Sequence, residues 1–172
     1  MIFDANKKGH LDLRYLKVVP EGTIFNNTGD VYLDSLITLP EGTIFNNTGD
    51  VYLNSLITLP EGFIFNNKGD VGLRILSILP EGIQFNNKGG VYLNSLKILP
   101  EEVQFNNTGD VDLGENVDFG ICSIETLKSL KMDFKLLINK LQHKITYCPE
   151  LNLDQEQQVI TWTETLNKLM QI

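Results

Sequence analysis

The fold is decided by PEGTIFNNTGDVYLDSLITL, residues 20–39, because residues 40–59 repeat it with one change, Asp34 becoming Asn54. Five units of twenty residues follow one another, each starting at a proline: Pro20, Pro40, Pro60, Pro80 and Pro100. A fixed period of this length is typical of proteins built from stacked copies of one small unit. The sequence therefore predicts a repeat solenoid.

Comparing the units in register separates the core from the surface. Three columns of large apolar residues do not vary over the five units: the phenylalanines Phe25, Phe45, Phe65, Phe85 and Phe105, the valines Val31 to Val111 and the leucines Leu33 to Leu113. Val31 and Leu33 alternate with polar neighbours, which is the pattern of a strand with one buried face. We expect a unit to bury about five large apolar side chains, too few to offset the ordering of its own backbone, so the units must stabilise one another by stacking.

Three segments are expected along the chain. Residues 1–19 match the repeat only in part and predict an N-terminal capping coil, and residues 20–119 form the five repeats. The Asn26-Asn27 pair, Gly29 and Gly22 are turn-forming residues and predict the corners of each coil. In residues 120–172 the apolar spacing changes to that of helices, so we expect a C-terminal helical hairpin.

The predicted hairpin has two candidate roles. Its first stripe is Leu127, Leu130, Phe134, Leu137, Leu141 and Ile145, and its second is Val159, Trp162, Leu166 and Leu169. The hairpin could cover the open end of the last coil, which would otherwise present an unpaired strand edge. Alternatively, part of the stripe around Trp162 and Met170 could serve a partner or a homodimer.

The repeat resembles a known family. From Leu39 the chain reads L-P-E-G, from Phe45 F-N-N, and from Val51 V-x-L-x-x-L-x-x-L-P. This pattern resembles a shortened bacterial leucine-rich repeat, and similar twenty-residue arrays occur in proteins of bacteria and their phages. The resemblance covers residues 1–119 and implies a binding scaffold. We expect a mainly β fold with a helical C-terminus, a right-handed parallel β-solenoid of about six coils; both a curved horseshoe and a straighter solenoid fit the pattern.

Charge narrows the range of partners. The formal net charge is −8, and residues 1–119 carry all of it, with 16 acidic against 8 basic residues, while residues 120–172 have 6 of each. A surface of this kind disfavours direct binding of nucleic acid and of anionic membranes. We expect no signal peptide and no membrane span, because the first ten residues have no apolar run after their charged residues and the sequence has no run of eighteen apolar residues. With Cys122 and Cys148 as its two cysteines, the chain fits free thiols and a cytoplasmic location.

Enzyme chemistry finds no support in the sequence. His10 and His143 lie in different segments without cysteines or carboxylates at metal-binding spacing. Neither cysteine has a sequence-local histidine partner in any known catalytic arrangement, so we interpret both as structural thiols. We therefore expect a non-enzymatic protein with no cofactor and no catalytic or metal site.

The first candidate function is binding of another protein through the lateral sheet face. The candidate contact residues are Tyr32, Tyr52, Tyr92, Arg74 and Ile75, the last two beside Gly72, which interrupts the tyrosine column. Tyrosines on a flat surface are good contact residues for a protein partner. The alternative is that the tyrosines stack on one another and only stabilise the sheet.

The acidic columns give the other candidates. These are Asp30, Asp50, Asp70 and Asp110 with Glu21, Glu41, Glu61, Glu81 and Glu101. They could form a solvated face that keeps a repetitive β protein soluble. They could instead imitate a nucleic-acid backbone, as expected of a phage or mobile-element inhibitor, anti-CRISPR-like, of a nucleic-acid-handling enzyme. A third hypothesis is a structural solenoid whose Asp and Asn side chains hold calcium in the turns.

Overall fold

The computed structural model of the protein describes residues 8–100 and 102–114 and the single positions 117, 126, 129 and 130. The chain divides into two units, Met1–Leu130 and Lys131–Ile172, and every described residue lies in the first. Of the predicted hairpin, only Thr126, Ser129 and Leu130 are described, and Thr126 and Leu130 are buried. The helices themselves, together with Trp162, lie outside the described residues.

The described part contains eleven strands of two residues each, two for almost every repeat. They are β1 Leu11–Asp12, β2 Ile24–Phe25, β3 Val31–Tyr32, β4 Ile44–Phe45, β5 Val51–Tyr52, β6 Ile64–Phe65, β7 Val71–Gly72, β8 Gln84–Phe85, β9 Val91–Tyr92, β10 Gln104–Phe105 and β11 Val111–Asp112. Such short strands leave room in each repeat for several corners.

The strands form two parallel sheets in which neighbours are one repeat apart. The six-stranded sheet has the order β1-β3-β5-β7-β9-β11 and the five-stranded sheet the order β10-β8-β6-β4-β2. The register pairs equivalent residues, for example Val31 with Val51 and Phe25 with Phe45. The prediction of a parallel β-solenoid with a twenty-residue period is confirmed. The solenoid has about five turns rather than the six coils expected, since five turns connect the six strands of the larger sheet.

A third line of contacts joins two pairs of neighbouring coils. Thr38 pairs with Thr58, and Ile78 with Ile98, as isolated parallel bridges. Next to these bridges the Ile57 amide donates to the Ile37 carbonyl at 2.9 Å. At these two steps the neighbouring coils are therefore joined along three lines of backbone contacts.

The core consists of the columns predicted from the repeats. The phenylalanine rings of successive coils stack, with centroids 4.9, 5.9, 5.4 and 5.2 Å apart from Phe25 to Phe105. The valines Val31, Val51, Val71 and Val91 are fully buried, as are the leucines at the equivalent positions two residues later. Apolar stacking between coils thus supplies the burial that one unit cannot provide for itself.

The corners depend on side chains that the turn pattern alone did not resolve. In the Asn-Asn pair the first residue is exposed and the second is buried in every unit. The Nδ2 atom of Asn67 lies 3.3 Å from the Gly49 carbonyl oxygen of the preceding coil, and 3.1 Å from the carbonyl oxygens of Gly69 and Asp70. The buried asparagine therefore satisfies carbonyl groups of two coils at one corner.

Candidate binding surfaces

The tyrosine face is the outer side of the six-stranded sheet. The rings of Tyr32 and Tyr52 stack with centroids 5.0 Å apart and planes 5° apart. The Arg14 guanidinium lies 5.8 Å from the centre of the Tyr32 ring, and that of Arg74 lies 5.7 Å from the centre of the Tyr92 ring. The tyrosines and the two arginines thus pack on one another along the sheet surface.

The aspartates on this face bind the neighbouring coil. Oδ1 of Asp30 accepts the Asp50 amide at 2.9 Å, and Oδ1 of Asp50 accepts the Asp70 amide at 2.7 Å. Asp70 accepts the Gly90 amide in the same way at 2.7 Å. These three carboxylates are half-buried, whereas Asp110 is exposed. The aspartate column therefore connects coil to coil, in addition to any charge it presents to solvent.

The second carboxylate oxygen of each aspartate accepts a tyrosine hydroxyl. The Tyr32 hydroxyl donates to Asp30 Oδ2 and the Tyr52 hydroxyl to Asp50 Oδ2, both at 2.9 Å. Nδ1 of His10 lies 2.9 Å from Asp30 Oδ2, at the start of the same row. A tyrosine and an aspartate two residues apart thus form one hydrogen-bonded unit, repeated along the face.

The hydrogen bonds between aspartates and tyrosines shift the pKa values of both partners in the first pair, Asp30 and Tyr32. Burial is the largest influence on the pKa of Asp30 and raises it, but the bonds from the Asp50 amide, Tyr32 and His10 together outweigh burial, so this pKa is lowered. The bond to Asp30 raises the pKa of Tyr32.

The other tyrosines shift in the same direction. Burial, followed by the bond to Asp50, raises the pKa of Tyr52 well above its usual range. The negative charge of Asp70 raises the pKa of Tyr92. The hydrogen bonds and charges of this face therefore favour the neutral form of its three tyrosines and the ionised form of Asp30.

The interruption at Gly72 is covered by its neighbours. Gly72 is buried, and a Cβ atom there would lie 2.9 Å from Asn54 Oδ1 and 3.5 Å from the Tyr52 ring. The Tyr92 hydroxyl reaches back to Asp70 of the preceding coil, at 3.3 Å from Oδ2. Arg74 stays exposed beside the interruption, and Ile75 is 50% exposed. Neighbouring side chains thus fill the interruption at Gly72, and Arg74 and Ile75 stay accessible beside it.

Comparing the repeat units in register did not reveal a second candidate surface. It is the outer side of the five-stranded sheet, where Ile24, Ile44 and Ile64 are each 36–38% exposed. The same column continues as Gln84 and Gln104. Exposed glutamates lie three residues before each isoleucine, at Glu21, Glu41 and Glu61, and Glu81 extends the row. We call this surface the isoleucine–glutamate face.

A signal for this face was present in the sequence. The residue before each invariant phenylalanine must point outward if the phenylalanine points inward. Its identity changes from isoleucine to glutamine after the third unit, so it does not belong to the invariant columns. Between the second and third coils the face holds a depression of about 680 Å³, lined among others by Ile44, Ile64, Phe63, Glu41 and Glu61.

A third surface follows the line of isolated bridges. Five apolar side chains there are 52–74% exposed: Val18, Ile37, Ile57, Ile78 and Ile98. Lys17 and Lys97 lie in the same two columns, next to Val18 and Ile98. We call this surface the bridge face, and it too was not singled out from the sequence.

Within the described residues, no group of three histidine, cysteine, aspartate or glutamate side chains could hold a metal ion. No helix in that part of the chain has the length and apolar character needed to cross a membrane. The candidate residue Trp162, together with Cys122, Cys148 and His143, lies outside the described residues.

No protein-family model, no curated protein and no solved structure significantly matches this chain.

Proposed function

We propose that this protein is a non-enzymatic binding module whose solenoid presents flat, exposed side-chain columns to another protein. The observation that carries the proposal is the amount of apolar surface left on a highly regular scaffold. Eight side chains of the isoleucine–glutamate and bridge faces are exposed in fixed columns. Aligned apolar patches on a soluble protein are typical of interaction surfaces.

The tyrosine face contributes less than expected from the sequence. The hydroxyls of Tyr32 and Tyr52 are occupied by Asp30 and Asp50, so these groups are less available to a partner. Arg74 and Ile75 stay exposed on that face, as does Arg14. The proposal includes a right-handed, leucine-rich-repeat-like solenoid in the cytoplasm, without direct binding of nucleic acid or membrane. A C-terminal helical hairpin would provide a cap, a second contact region or a homodimer interface.

Charge mimicry is the second candidate, and one observation favours it. The glutamate row Glu21, Glu41, Glu61 and Glu81 is exposed, unlike the half-buried aspartates that hold the coils together. An acidic inhibitor of a nucleic-acid-handling enzyme would use this row, and its affinity would fall steeply with salt. The calcium hypothesis stays a prediction, tested by the melting temperature with and without chelator.

The binding function is tested by affinity capture with faces altered one at a time. The full-length protein is immobilised, incubated with lysate of the native host and washed at low and at high salt. Each variant introduces residues that the chain itself carries at the same position of another coil. The variants are R74N/I75S for the tyrosine face, I44Q/I64Q for the isoleucine–glutamate face and I57S/I98T for the bridge face.

The proposal is supported if a protein is retained by the wild type and by two of the face variants but is lost with the third. Capture of no protein above background by the wild type contradicts it. A partner that resists the face variants and is released by high salt and by E41Q/E61Q/E81Q would favour charge mimicry.

A further inference from the structure

We infer that the isoleucine–glutamate face binds a basic amphipathic α-helix of the partner, lying along the direction in which the coils stack. The inference rests on the proposed protein-binding function and names the face and the chemistry of what it binds. Three observations support it: the spacing of the isoleucines, the one-sided row of carboxylates and the apolar depression between two coils.

The spacing of the isoleucines fits a helix. Ile24 pairs in register with Ile44, and Ile64 continues the column, so the three side chains follow one another at about 4.8 Å, the distance between neighbouring strands. Side chains on one face of a helix recur each turn, about every 5.4 Å. Over three coils the helix deviates by only about 1 Å.

An extended strand fits less well. Its side chains on one face recur at about 6.6–6.8 Å, so over three coils it deviates from the isoleucine column by about 4 Å. Only one of its apolar side chains could lie on an isoleucine at a time. The repeat distance of the face therefore selects a helical partner.

The charge on the face is one-sided. Glu21, Glu41, Glu61 and Glu81 form a row along one edge of the isoleucine column, and no hydrogen bond or ion pair to their carboxylates forms within residues 8–100. The other edge carries the exposed amides Asn26, Asn46 and Asn66, with Lys68 beyond them. A bound helix would therefore place its lysines or arginines on the glutamate side and uncharged polar residues on the asparagine side.

The depression supplies an anchor position. Ile44 and Ile64 flank it, with Glu41 and Glu61 also in its lining. Phe63, in the same depression, occupies the position that is threonine in the two preceding units, Thr23 and Thr43. An apolar side chain at the centre of the helix would be buried here against Ile44, Ile64 and Phe63.

The other two faces do not specify a partner in this way. Within the described residues, the two columns of the bridge face contain only apolar, Thr, Ser and Lys residues, so they offer no row of carboxylates to a basic ligand. On the tyrosine face, Asp30, Asp50 and Asp70 already accept hydrogen bonds from the protein itself.

The inference is tested with synthetic helical peptides and the full-length protein. The probe is a fluorescent peptide of about 14 residues, four turns of helix, with a leucine stripe and lysines along one edge. One control peptide has glutamine in place of each leucine, and another has glutamate in place of each lysine. Binding is followed by fluorescence anisotropy over a range of salt concentrations.

We expect only the peptide with both leucines and lysines to bind. I44Q/I64Q should weaken its binding at least about tenfold, because two apolar contacts are lost. E41Q/E61Q should weaken it about three- to tenfold and flatten its salt dependence. I57S/I98T on the bridge face should leave binding unchanged. Circular dichroism and the melting temperature check that each variant folds. We expect I44Q/I64Q to fold, because Gln84 and Gln104 already occupy the altered column.

Two outcomes overturn the inference. The first is equal binding of the probe to the wild type and to I44Q/I64Q. The second is a partner captured from lysate that is lost with R74N/I75S or I57S/I98T but kept by I44Q/I64Q, which would leave the proposed binding function standing. If the wild type captures no partner at all, the proposed function itself fails.

Discussion

Asn67 illustrates how one polar side chain joins two coils. It is almost fully buried, and its amide group donates to carbonyls of its own coil and of the preceding one. Asn67→Ala removes these side-chain hydrogen bonds and leaves the carbonyls only their other donors, such as the Gly69 amide on the Gly49 carbonyl. It should cost about 1–3 kcal/mol of unfolding free energy. Asn67→Asp should cost more, because it places a carboxylate against carbonyl oxygens. Denaturant unfolding of both variants measures the difference.

The adjacent Asn66 is the matched control. It is exposed, and the Asn86 amide donates to its Oδ1 at a long 3.4 Å. Asn66→Ala should change stability by no more than about 0.5 kcal/mol. Equal losses for the two asparagines would show that the buried amide does not bind the corner.

Tyr52 links stability to alkaline pH. Its folded-state pKa is raised, so the stabilisation from its neutral hydroxyl is complete below about pH 10, the ordinary tyrosine pKa, and is lost as pH rises through the folded-state value. Tyr52→Phe keeps the ring stacked on Tyr32 but removes the bond to Asp50. We expect it to lower the stability at neutral pH and to reduce the loss on raising the pH above about 10.

Unfolding free energies measured at several pH values, from neutral to strongly alkaline, give this result directly. A pH dependence identical in Tyr52→Phe and the wild type would contradict the assigned role of the hydroxyl.

The corners between the strands are the elements where glycine is required, for two different reasons. Gly62 has a φ of +63°, and nothing lies within 4 Å of the position a Cβ would take. At Gly69 a Cβ would lie 2.5 Å from the carbonyl carbon of Gly49 and 2.6 Å from the Asp50 amide nitrogen. The first corner needs a left-handed residue, and the second needs two backbones in close contact.

Alanine at the two corners should therefore have different costs. Gly62→Ala should lose about 1–2 kcal/mol, the penalty of the left-handed conformation. Gly69→Ala should lose more than about 3 kcal/mol, because neighbouring backbones would have to move apart. Thermal and denaturant unfolding of both variants tests this order, and a greater loss at Gly62 would contradict it.

Of the two strands in each unit, one could be predicted from the sequence and the other could not. Alternation around Val31 and Leu33 predicted the strand of the larger sheet. The other strand of each unit, such as Ile24–Phe25, was not predicted, because its invariant phenylalanine has no second invariant apolar residue two positions away. The invariant columns correctly predicted the core, because core positions in every coil contact the same neighbours.

The surfaces were only partly predictable for a related reason. The pattern showed that Asp30 and Tyr32 share one face, but not that the carboxylate of Asp30 would bind the amide of the next coil. That bond depends on the distance between coils, which the sequence does not contain. The Ile24 column was overlooked because it varies, and variation between coils is expected wherever a surface differs along its length.

At the scale of the whole molecule, the coils act as interchangeable units. Deleting residues 40–59 joins Leu39 to Pro60, the same dipeptide as at the original junctions. The contacts between coils are restored: Phe25 would stack on Phe65, and Asp30 would accept the amide of Asp70. Because each coil contacts only its neighbours, we expect a folded protein with lower stability and a smaller denaturant dependence.

Deleting ten residues instead of twenty is the control. Removal of residues 45–54 would set strands against corners in the next coil, and we expect this variant not to fold cooperatively. Circular dichroism with urea unfolding distinguishes the two deletions. Cooperative folding of the ten-residue deletion would contradict the view that the period is fixed by the stacking contacts.

The near identity of residues 20–39 and 40–59 also bears on how quickly the chain finds its native register. A folding chain can stack residues 60–79 on either of these two coils with almost the same contacts, and only the correct choice leaves no coil looped out. The later units, which carry Phe63, Gly72 and Gln84, lack this ambiguity. We therefore expect folding to nucleate in the later coils, with re-registration of the two matching coils as its slow step.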